Sequence, residues 1–197
     1  PDQWGRTTAV DGAAAGIGVA FLVGGSAGLV NALLVTYGRI NPIIATLATL
    51  SAFRGLAFIV SNGKSIGILL PSYNWIGSSR ILDVSVPVYI LVLAAVLFIL
   101  FMRYSRLARH IRAIGGNIEA ALFAGINITK YRFGMYIFSG LMCGLTAIIL
   151  TARAHSGQPA AATGLELDAI TAAFLGGCGL RGGTGSILGT LLWVVII

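Results

Sequence analysis

The sequence predicts an all-α fold, a polytopic bundle of transmembrane helices with a broken, glycine-rich half-helix region towards its end. Hydrophobic residues make up 57% of the chain and charged residues only 10%, and the mean hydropathy is +0.92. A soluble domain carries about 25% charged residues. Five apolar stretches stand out, at about 13–35, 41–60, 86–102, 133–152 and from 166 to the end. Since a helix needs about 20 apolar residues to cross a bilayer, most of these stretches are near the required length.

The distribution of Lys and Arg predicts the orientation of the spans, because cytoplasmic loops carry an excess of both residues. The segment 103–132 holds six basic residues and a single acid, Glu119, so we place it in the cytoplasm. Strict alternation then puts the turn at 36–40, with Arg39, on the same side. The remaining polar segments, which fall outside, are 1–12, 61–85 and 153–165. This arrangement places seven basic residues inside and four outside.

Four arginines recur every three residues at the start of the cytoplasmic segment, namely Arg103, Arg106, Arg109 and Arg112. This spacing puts them along one side of a helix that continues out of the preceding span. We expect that side to face membrane lipid, since basic groups next to a span are attracted to anionic headgroups. The formal net charge of +7 is then typical of a membrane chain with basic cytoplasmic loops, and no nucleic-acid partner is expected.

A short helix flanked by glycines is predicted in the second half of the cytoplasmic segment. Asn117 is a favourable N-cap, Glu119 falls in the first turn, where the helix dipole favours an anion, and Gly125 can occupy the C′ position. A helix of two turns is marginal in water by itself, so contacts with a larger body must hold it. The spacing leaves open whether that body is another protein or the chain's own bundle.

The region 153–185 is predicted to be interrupted. Thr163 and Glu166 have the spacing of a capping box, so a helix is expected to begin there. A run of glycines at 176–185 stops this helix after about ten residues, too soon to cross a bilayer. Two interpretations stay open: half-helices buried in protein at membrane depth, or a cytoplasmic hairpin loop between two tilted helices. In the first, five glycines pack closely: Gly176, Gly177, Gly182, Gly183 and Gly185.

No catalytic site, metal site or cofactor site is predicted. The glycines at 177–182 match the spacing of a dinucleotide-binding fingerprint, but no acidic residue follows them and an apolar run comes next. The segment 63–65 imitates the end of a phosphate-binding loop, yet Phe58 stands where the first glycine is required. His110 and His155 fall on opposite sides of the membrane in the predicted topology. The sequence therefore indicates a chain that is not an enzyme and does not bind ATP itself.

Several sequence blocks carry a resemblance to a known family. They include Gly28-Leu29-Val30-Asn31, Pro42-Ile43-Ile44-Ala45-Thr46-Leu47, Arg54-Gly55, Asn62-Gly63, Gly115-Gly116-Asn117, Gln158-Pro159, Gly164-x-Glu166-Leu167-Asp168 and Gly182-Gly183-x-Gly185-Ser186. With these blocks the chain resembles, from about residue 20 to its end, the ribose-type (monosaccharide) permeases of ABC importers.

The resemblance implies a multi-pass permease subunit of the bacterial inner membrane that moves a ribose-like monosaccharide by alternating access. It implies cytoplasmic ABC ATPase subunits, which hydrolyse the ATP, a periplasmic sugar-binding protein, and a second permease copy that is identical or paralogous. The short cytoplasmic helix becomes a coupling helix that sits in a groove on the ATPase, where its small residues allow close approach. The residues assigned to this coupling helix are Gly115, Gly116, Asn117, Glu119, Ala120, Ala121, Gly125 and Ile126.

The chain is expected to form one domain. We treat residues 1–197 as a single transmembrane permease domain and 103–132 as its cytoplasmic loop. The chain opens at Pro1 without an initiator Met or a signal sequence, and it stops inside an apolar run. It is therefore expected to be a fragment that lacks N-terminal and C-terminal helices.

Two other kinds of transporter stay open. One is an ABC permease for branched-chain amino acids or another small solute, which shares the architecture. The other is a secondary transporter, which usually buries ionisable residues in its spans, and Arg54 and Arg181 are the candidates here. A sugar pathway needs hydroxyl and amide groups that face a cavity. We assign the substrate pathway to Asn41, Thr46 and Thr49.

Overall fold

The computed structural model describes residues 3–68, 71–81, 83–179 and 182–196. Within these residues the chain is mainly helical, which confirms the predicted all-α fold. The helices are α1 (Gln3–Thr36), α2 (Pro42–Ser61), α3 (Pro71–Ser78), α4 (Val86–Tyr104), α5 (Arg106–Gly116), α6 (Ile118–Phe123), α7 (Ile128–Ala154), α8 (Leu165–Leu175) and α9 (Ile187–Ile196). Short strands accompany them: β1 (Ile66–Gly67), β2 (Arg80–Ile81), β3 (Val84–Ser85) and β4 (Ser156–Gly157).

Among the described residues, four helices are long and apolar enough to span a membrane. They are Gly12–Thr36 of α1, α2, α4 and α7, and they match the first four predicted spans. The fifth apolar stretch is broken, as predicted, because α8 has only 11 residues, ends at Leu175, and is separated from the start of α9 at Ile187. A crossing needs about 20 residues. Arg181, one of the two ionisable candidates, lies outside the described residues.

The chain divides into two compact units. The first comprises Pro1–Tyr89 and Arg132–Ala161, so it contains α1 to α3 and nearly all of α7. The second comprises Ile90–Tyr131 and Ala162–Ile197, so it contains most of α4 together with α5, α6, α8 and α9. The predicted coupling helix and the broken region therefore belong to the same unit.

Close approach between α1 and α7 holds the first unit together. A Cβ added to Gly28 of α1 would come within 2.6 Å of a carbonyl oxygen of α7. A Cβ on Gly144 of α7 would lie 2.7 Å from the carbonyl oxygen of Ala20. Gly24 and Gly140 meet between these points, and neither has room for a side chain. The two helices are thus antiparallel, and two Gly-xxx-Gly motifs pack on each other.

A folded cap closes the end of the first unit that is predicted to lie outside. β1 pairs antiparallel with β4, which joins the segments 61–85 and 153–165. α3 lies at the same end, where Tyr73 is buried and its hydroxyl shares a hydrogen bond of 2.7 Å with the Thr151 hydroxyl of α7. Gly77 brings the α3 backbone against the α7 backbone, with no space for a side chain. Both segments sit at one end, as the predicted topology requires.

The opposite end of the first unit carries the turn that is predicted to be cytoplasmic. α1 ends at Thr36, and the ring of Tyr37 meets that of Phe133 edge-on, with the ring centroids 6.2 Å apart. Phe133 lies in the second turn of α7. The turn at 36–40 therefore lies at the same end of this unit as the start of α7, where the basic segment 103–132 finishes.

Small residues fill most of the buried positions in the described chain. The buried apolar side chains are mainly alanines, and among the residues whose burial is described no large side chain is fully buried. Large apolar side chains point outward along the spans instead: Leu22 is 73% exposed and Ile59 is 74% exposed. This arrangement suits lipid, where acyl chains are as apolar as leucine and helix association depends on close packing.

Replacing Gly140 by Ala is expected to loosen the pairing of α1 and α7, because its Cβ would overlap the backbone of Gly28. Overpacking of this kind costs about 1–3 kcal/mol. Gly134→Ala is the matched control, since it lies in the same helix and a Cβ there would meet nothing within 4 Å. We expect the midpoint of thermal unfolding in detergent to fall for Gly140→Ala only. Equal midpoints for the two variants would contradict the close packing.

Candidate functional site

The short helix predicted in the cytoplasmic segment is present as α6. The side chain of Asn117 accepts a hydrogen bond from the Ala120 N–H at 3.0 Å and so caps its start. At its end, Gly125 takes a φ of +77°, and two N–H groups turn back into the helix. The Gly125 N–H donates to the Leu122 carbonyl oxygen at 3.0 Å, and the Ile126 N–H donates to the Ala121 carbonyl oxygen at 3.1 Å. This Schellman motif closes the helix after six residues.

Five of the six residues of α6 are exposed, and one is buried. Ala121 is only 3% exposed and faces its own unit. Ile118, Leu122 and Phe123 are 52%, 62% and 89% exposed. The small residue at 121 therefore serves packing within the chain, and the exposed residues of α6 include three large apolar side chains beside Glu119 and Ala120. Sequence reasoning missed these three residues, although the spacing of Ile118 and Leu122 marks one face of a helix.

A contact between α5 and α7 pins the loop that carries α6. The His110 Nδ1 atom of α5 is hydrogen-bonded to the Tyr131 hydroxyl at the start of α7. The two rings meet at right angles, with centroids 5.3 Å apart. This contact joins the two ends of the segment 110–131, so α6 lies within a loop whose ends are held together. Such a loop limits the conformations of α6 before any partner binds.

The two glycine-rich segments of the second unit touch each other. A Cβ on Gly115, in the last turn of α5, would lie 3.0 Å from the Cα atom of Gly183. A Cβ on Gly183 would lie 2.7 Å from the N and Cα atoms of Gly116. Gly182 also packs here, since a Cβ on it would come within 3.2 Å of the Gly115 carbonyl oxygen. The segment that follows α8 is therefore in backbone contact with the residues that immediately precede α6.

The other glycines of the broken region have different local roles. Gly176 packs against α9, where a Cβ would lie 2.6 Å from the Thr190 hydroxyl. A Cβ on Gly185 would lie 3.1 Å from the Cys178 sulfur. Gly177 has open space beside it but takes a φ of +92°, and its N–H donates to the Phe174 carbonyl oxygen at 3.0 Å. Gly177 therefore ends α8, and its contribution is a left-handed backbone conformation.

The start of α8 differs from the prediction. α8 begins at Leu165, and its N-cap is Gly164, with a φ of +93° and no side-chain cap. The Glu166 carboxylate accepts a hydrogen bond from the Gly164 N–H at 3.1 Å. The predicted capping box with Thr163 as the N-cap is wrong, because the left-handed conformation of Gly164 turns the chain into the helix one residue later.

The three polar residues assigned to a substrate pathway all have local partners. Asn41 caps α2 by accepting the Ile43 N–H at 3.0 Å, and the Thr46 hydroxyl donates to the Pro42 carbonyl oxygen at 2.9 Å. The Thr49 hydroxyl reaches another helix and donates to the Asn31 Oδ1 atom of α1 at 2.7 Å. Sequence reasoning did not single out Asn31, whose amide inside an apolar span was the available signal.

The arrangement suits a contact with another protein. Within the described residues, no group of three or more His, Cys, Asp or Glu side chains is placed to hold a metal ion. The second unit instead offers an exposed apolar helix on a pinned loop. Its neighbour in the chain, α5, is in backbone contact with the broken region. α6 is therefore linked to the segment between α8 and α9 by the chain itself, through the end of α5, and by the backbone contacts of Gly115 and Gly116 with Gly182 and Gly183.

Comparison with known proteins places the chain in a family. The family model described as "Branched-chain amino acid transport system / permease component" matches residues 5–197. No solved structure matches the chain significantly.

Curated relatives carry more specific names. The ribose import permease protein RbsC of Bacillus subtilis is 43% identical over 169 residues, which is 85% of this chain and 52% of that protein. The L-arabinose ABC transporter permease protein AraH of Azospirillum brasilense is 37% identical over 190 residues, or 96% of this chain and 56% of that protein. RbsC of Escherichia coli is 37% identical over 185 residues, which is 92% of this chain and 58% of that protein.

The chain spans about half the length of the curated relatives it matches. The resemblance to ribose-type permeases is confirmed by these relatives. With four helices that can cross a membrane and a family model that covers nearly all of its length, this chain is a multi-pass membrane protein that belongs to the branched-chain amino acid transport system / permease component family.

Proposed function

We propose that the chain forms the membrane-embedded part of an ATP-driven importer in the bacterial inner membrane, and that it moves a small sugar by alternating access. The observation that carries this proposal is the exposed apolar face of α6 on a pinned loop between two membrane spans. The names of the relatives, which are ribose and L-arabinose permeases, support a pentose as the solute. The solute path is assigned to Asn41, Thr46 and Thr49 of the first unit.

An importer of branched-chain amino acids is the second candidate, because the description of the matching family names that solute. We expect membranes that contain the complete importer to take up labelled ribose or L-arabinose in an ATP-dependent way, and to leave labelled leucine outside. Uptake of leucine alone would favour the second candidate. Uptake of either solute without ATP would favour a secondary transporter, in which α6 would have no ATPase to bind.

The ATPase subunit is proposed to bind the apolar face of α6. Phe123 is almost fully exposed at the end of the helix, and Ile118 and Leu122 extend the same surface. Aromatic side chains that fill a pocket dominate the energy of many interfaces. Ala121 does not take part in this contact, since it is buried within its own unit. ATP hydrolysis belongs to the ATPase, and this chain supplies the surface that receives its motion.

Motion is proposed to pass from α6 to the broken region through glycines. Gly115 and Gly116 connect α5 to α6 and lie against Gly182 and Gly183. Since backbone touches backbone at this point, no flexible side chain can absorb a displacement. A shift of α6 therefore reaches the segment between α8 and α9 directly. Gly176 carries it further, because it is packed against α9.

The remaining partners are proposed from the resemblance to ribose-type permeases. A periplasmic sugar-binding protein is proposed to deliver the solute to the outer end of the bundle. In the first unit, that end is closed by α3 and the β1–β4 pair. A second permease copy, identical or paralogous, is proposed to form the other half of the pathway.

Phe123→Ala is expected to weaken binding of the ATPase, because it removes the most exposed apolar side chain of α6. Loss of an interface anchor costs about 2 kcal/mol or more, which is about a 30-fold rise in the dissociation constant. Leu107→Ala is the matched control, since Leu107 is 51% exposed in the same cytoplasmic segment but lies in α5. ATPase binding to the purified permease and solute uptake are the measurements. An unchanged dissociation constant for Phe123→Ala would remove α6 from the interface.

Gly115→Ala is expected to reduce uptake while ATPase binding stays normal, because its Cβ would push against the backbone of Gly183. Gly116→Ala is the matched control in the same turn of α5, since a Cβ there would meet nothing within 4 Å. Both variants replace Gly by Ala in α5, so they raise the helix propensity by the same amount and differ only in the contact that the Cβ makes. The ratio of solute transported to ATP hydrolysed should fall for Gly115→Ala only. Equal ratios would show that the glycine contact does not transmit motion.

A further inference from the structure

The four arginines are divided between two helices, with Arg103 in the last turn of α4 and the other three on α5, which folds back. The predicted continuous helix is interrupted at Ser105, which has extended backbone angles and caps α5 by accepting the Leu107 N–H at 3.1 Å. The Arg112 Nη2 atom donates to the Met102 carbonyl oxygen at 2.7 Å. In a straight helix these two residues would be about 15 Å apart, beyond the reach of an arginine side chain. α5 therefore turns back across the end of α4.

Hydrogen bonds hold two guanidinium groups at the end of α4. Besides the Arg112 bond, the Arg109 Nη1 atom donates to the Tyr104 carbonyl oxygen at 3.3 Å. Met102 and Tyr104 lie in the last turn of α4, which is one of the four helices able to span the membrane. The last turn of such a helix lies where the hydrocarbon ends and the headgroups begin. Where α4 crosses a bilayer, the two guanidinium groups therefore lie near the level of the lipid phosphates.

Arg109 and Arg112 keep most of their hydrogen-bond donors free for a ligand, and Arg103 and Arg106 lie close to them in the chain. A guanidinium has five N–H donors, and the bonds of Arg109 and Arg112 use few of them. Arg103 lies over the Tyr104 ring at 5.8 Å, and Arg106 begins α5 directly after the turn. All four side chains are exposed. The segment contains a single acid, Glu119, so this positive charge has little compensation within the loop.

We propose that Arg103, Arg106, Arg109 and Arg112 form a binding site for the headgroups of anionic phospholipids of the inner leaflet. The ligand chemistry is a phosphodiester with net negative charge, which accepts paired hydrogen bonds from guanidinium groups. A zwitterionic headgroup gains less, because its own cation repels the cluster. The site does not depend on which solute the permease carries.

Native mass spectrometry of the purified full-length permease tests this site. The protein in mild detergent is titrated with dioleoyl phosphatidylglycerol and, separately, with dioleoyl phosphatidylcholine. The test variant is Arg103→Gln with Arg106→Gln, since neither residue caps α4 and the fold-back of α5 should survive. Affinity for phosphatidylglycerol is expected to fall about fivefold for each arginine removed, and added salt should weaken the wild-type binding. Phosphatidylcholine binding should not change.

Two control variants separate charge from structure. Arg106→Lys keeps the positive charge and should keep most of the phosphatidylglycerol affinity. Arg80→Gln removes an exposed arginine on the side that is predicted to be outside, and it should have no effect. Equal phosphatidylglycerol affinity in the wild type and the double variant would overturn the proposal. So would an equal loss for Arg80→Gln, or unchanged lipid binding together with weaker binding of the ATPase, which would assign the arginines to a protein partner.

Discussion

Close backbone approach at glycine is the constraint on which the rest of this structure depends. In a bilayer, burial of large apolar side chains gains little, because lipid tails are as apolar as the side chains themselves. Helices then associate where small residues let their backbones touch. α1 and α7 meet in this way at Gly24, Gly28, Gly140 and Gly144. Large apolar side chains are left exposed along the spans, as a lipid surrounding favours.

The α1–α7 pair also positions both ends of the first unit. At one end it supports α3, because Tyr73 packs into the angle beside α7 and bonds Thr151. At the other end it brings Tyr37 against Phe133. The segment that contains α3 and the turn at 36–40 are thus each held against one end of α7. The same principle operates in the second unit, where Gly115 meets Gly183 and Gly176 meets α9.

The segment 103–132, which is predicted to be cytoplasmic, combines local attachment with an exposed surface. Arg109 and Arg112 fold α5 across the end of α4, and His110 ties α5 to α7. These contacts use the polar side chains of the loop and leave the apolar side chains of α6 outside. A short helix is marginal alone, and these contacts limit the conformations of the segment that carries α6 and its exposed Phe123.

The sequence by itself determined the four spans, the break in the fifth apolar stretch, and the caps of α6 at Asn117 and Gly125. These features depend on length, composition and residues a few positions apart, so they can be derived without a fold. Only the tertiary structure decided that Gly24 meets Gly140, that Ala121 faces inward while Phe123 faces outward, and that Gly164 starts α8 in place of Thr163. Each of these depends on backbone conformation or on contacts between segments far apart in the chain, and no local pattern encodes which pairs will meet.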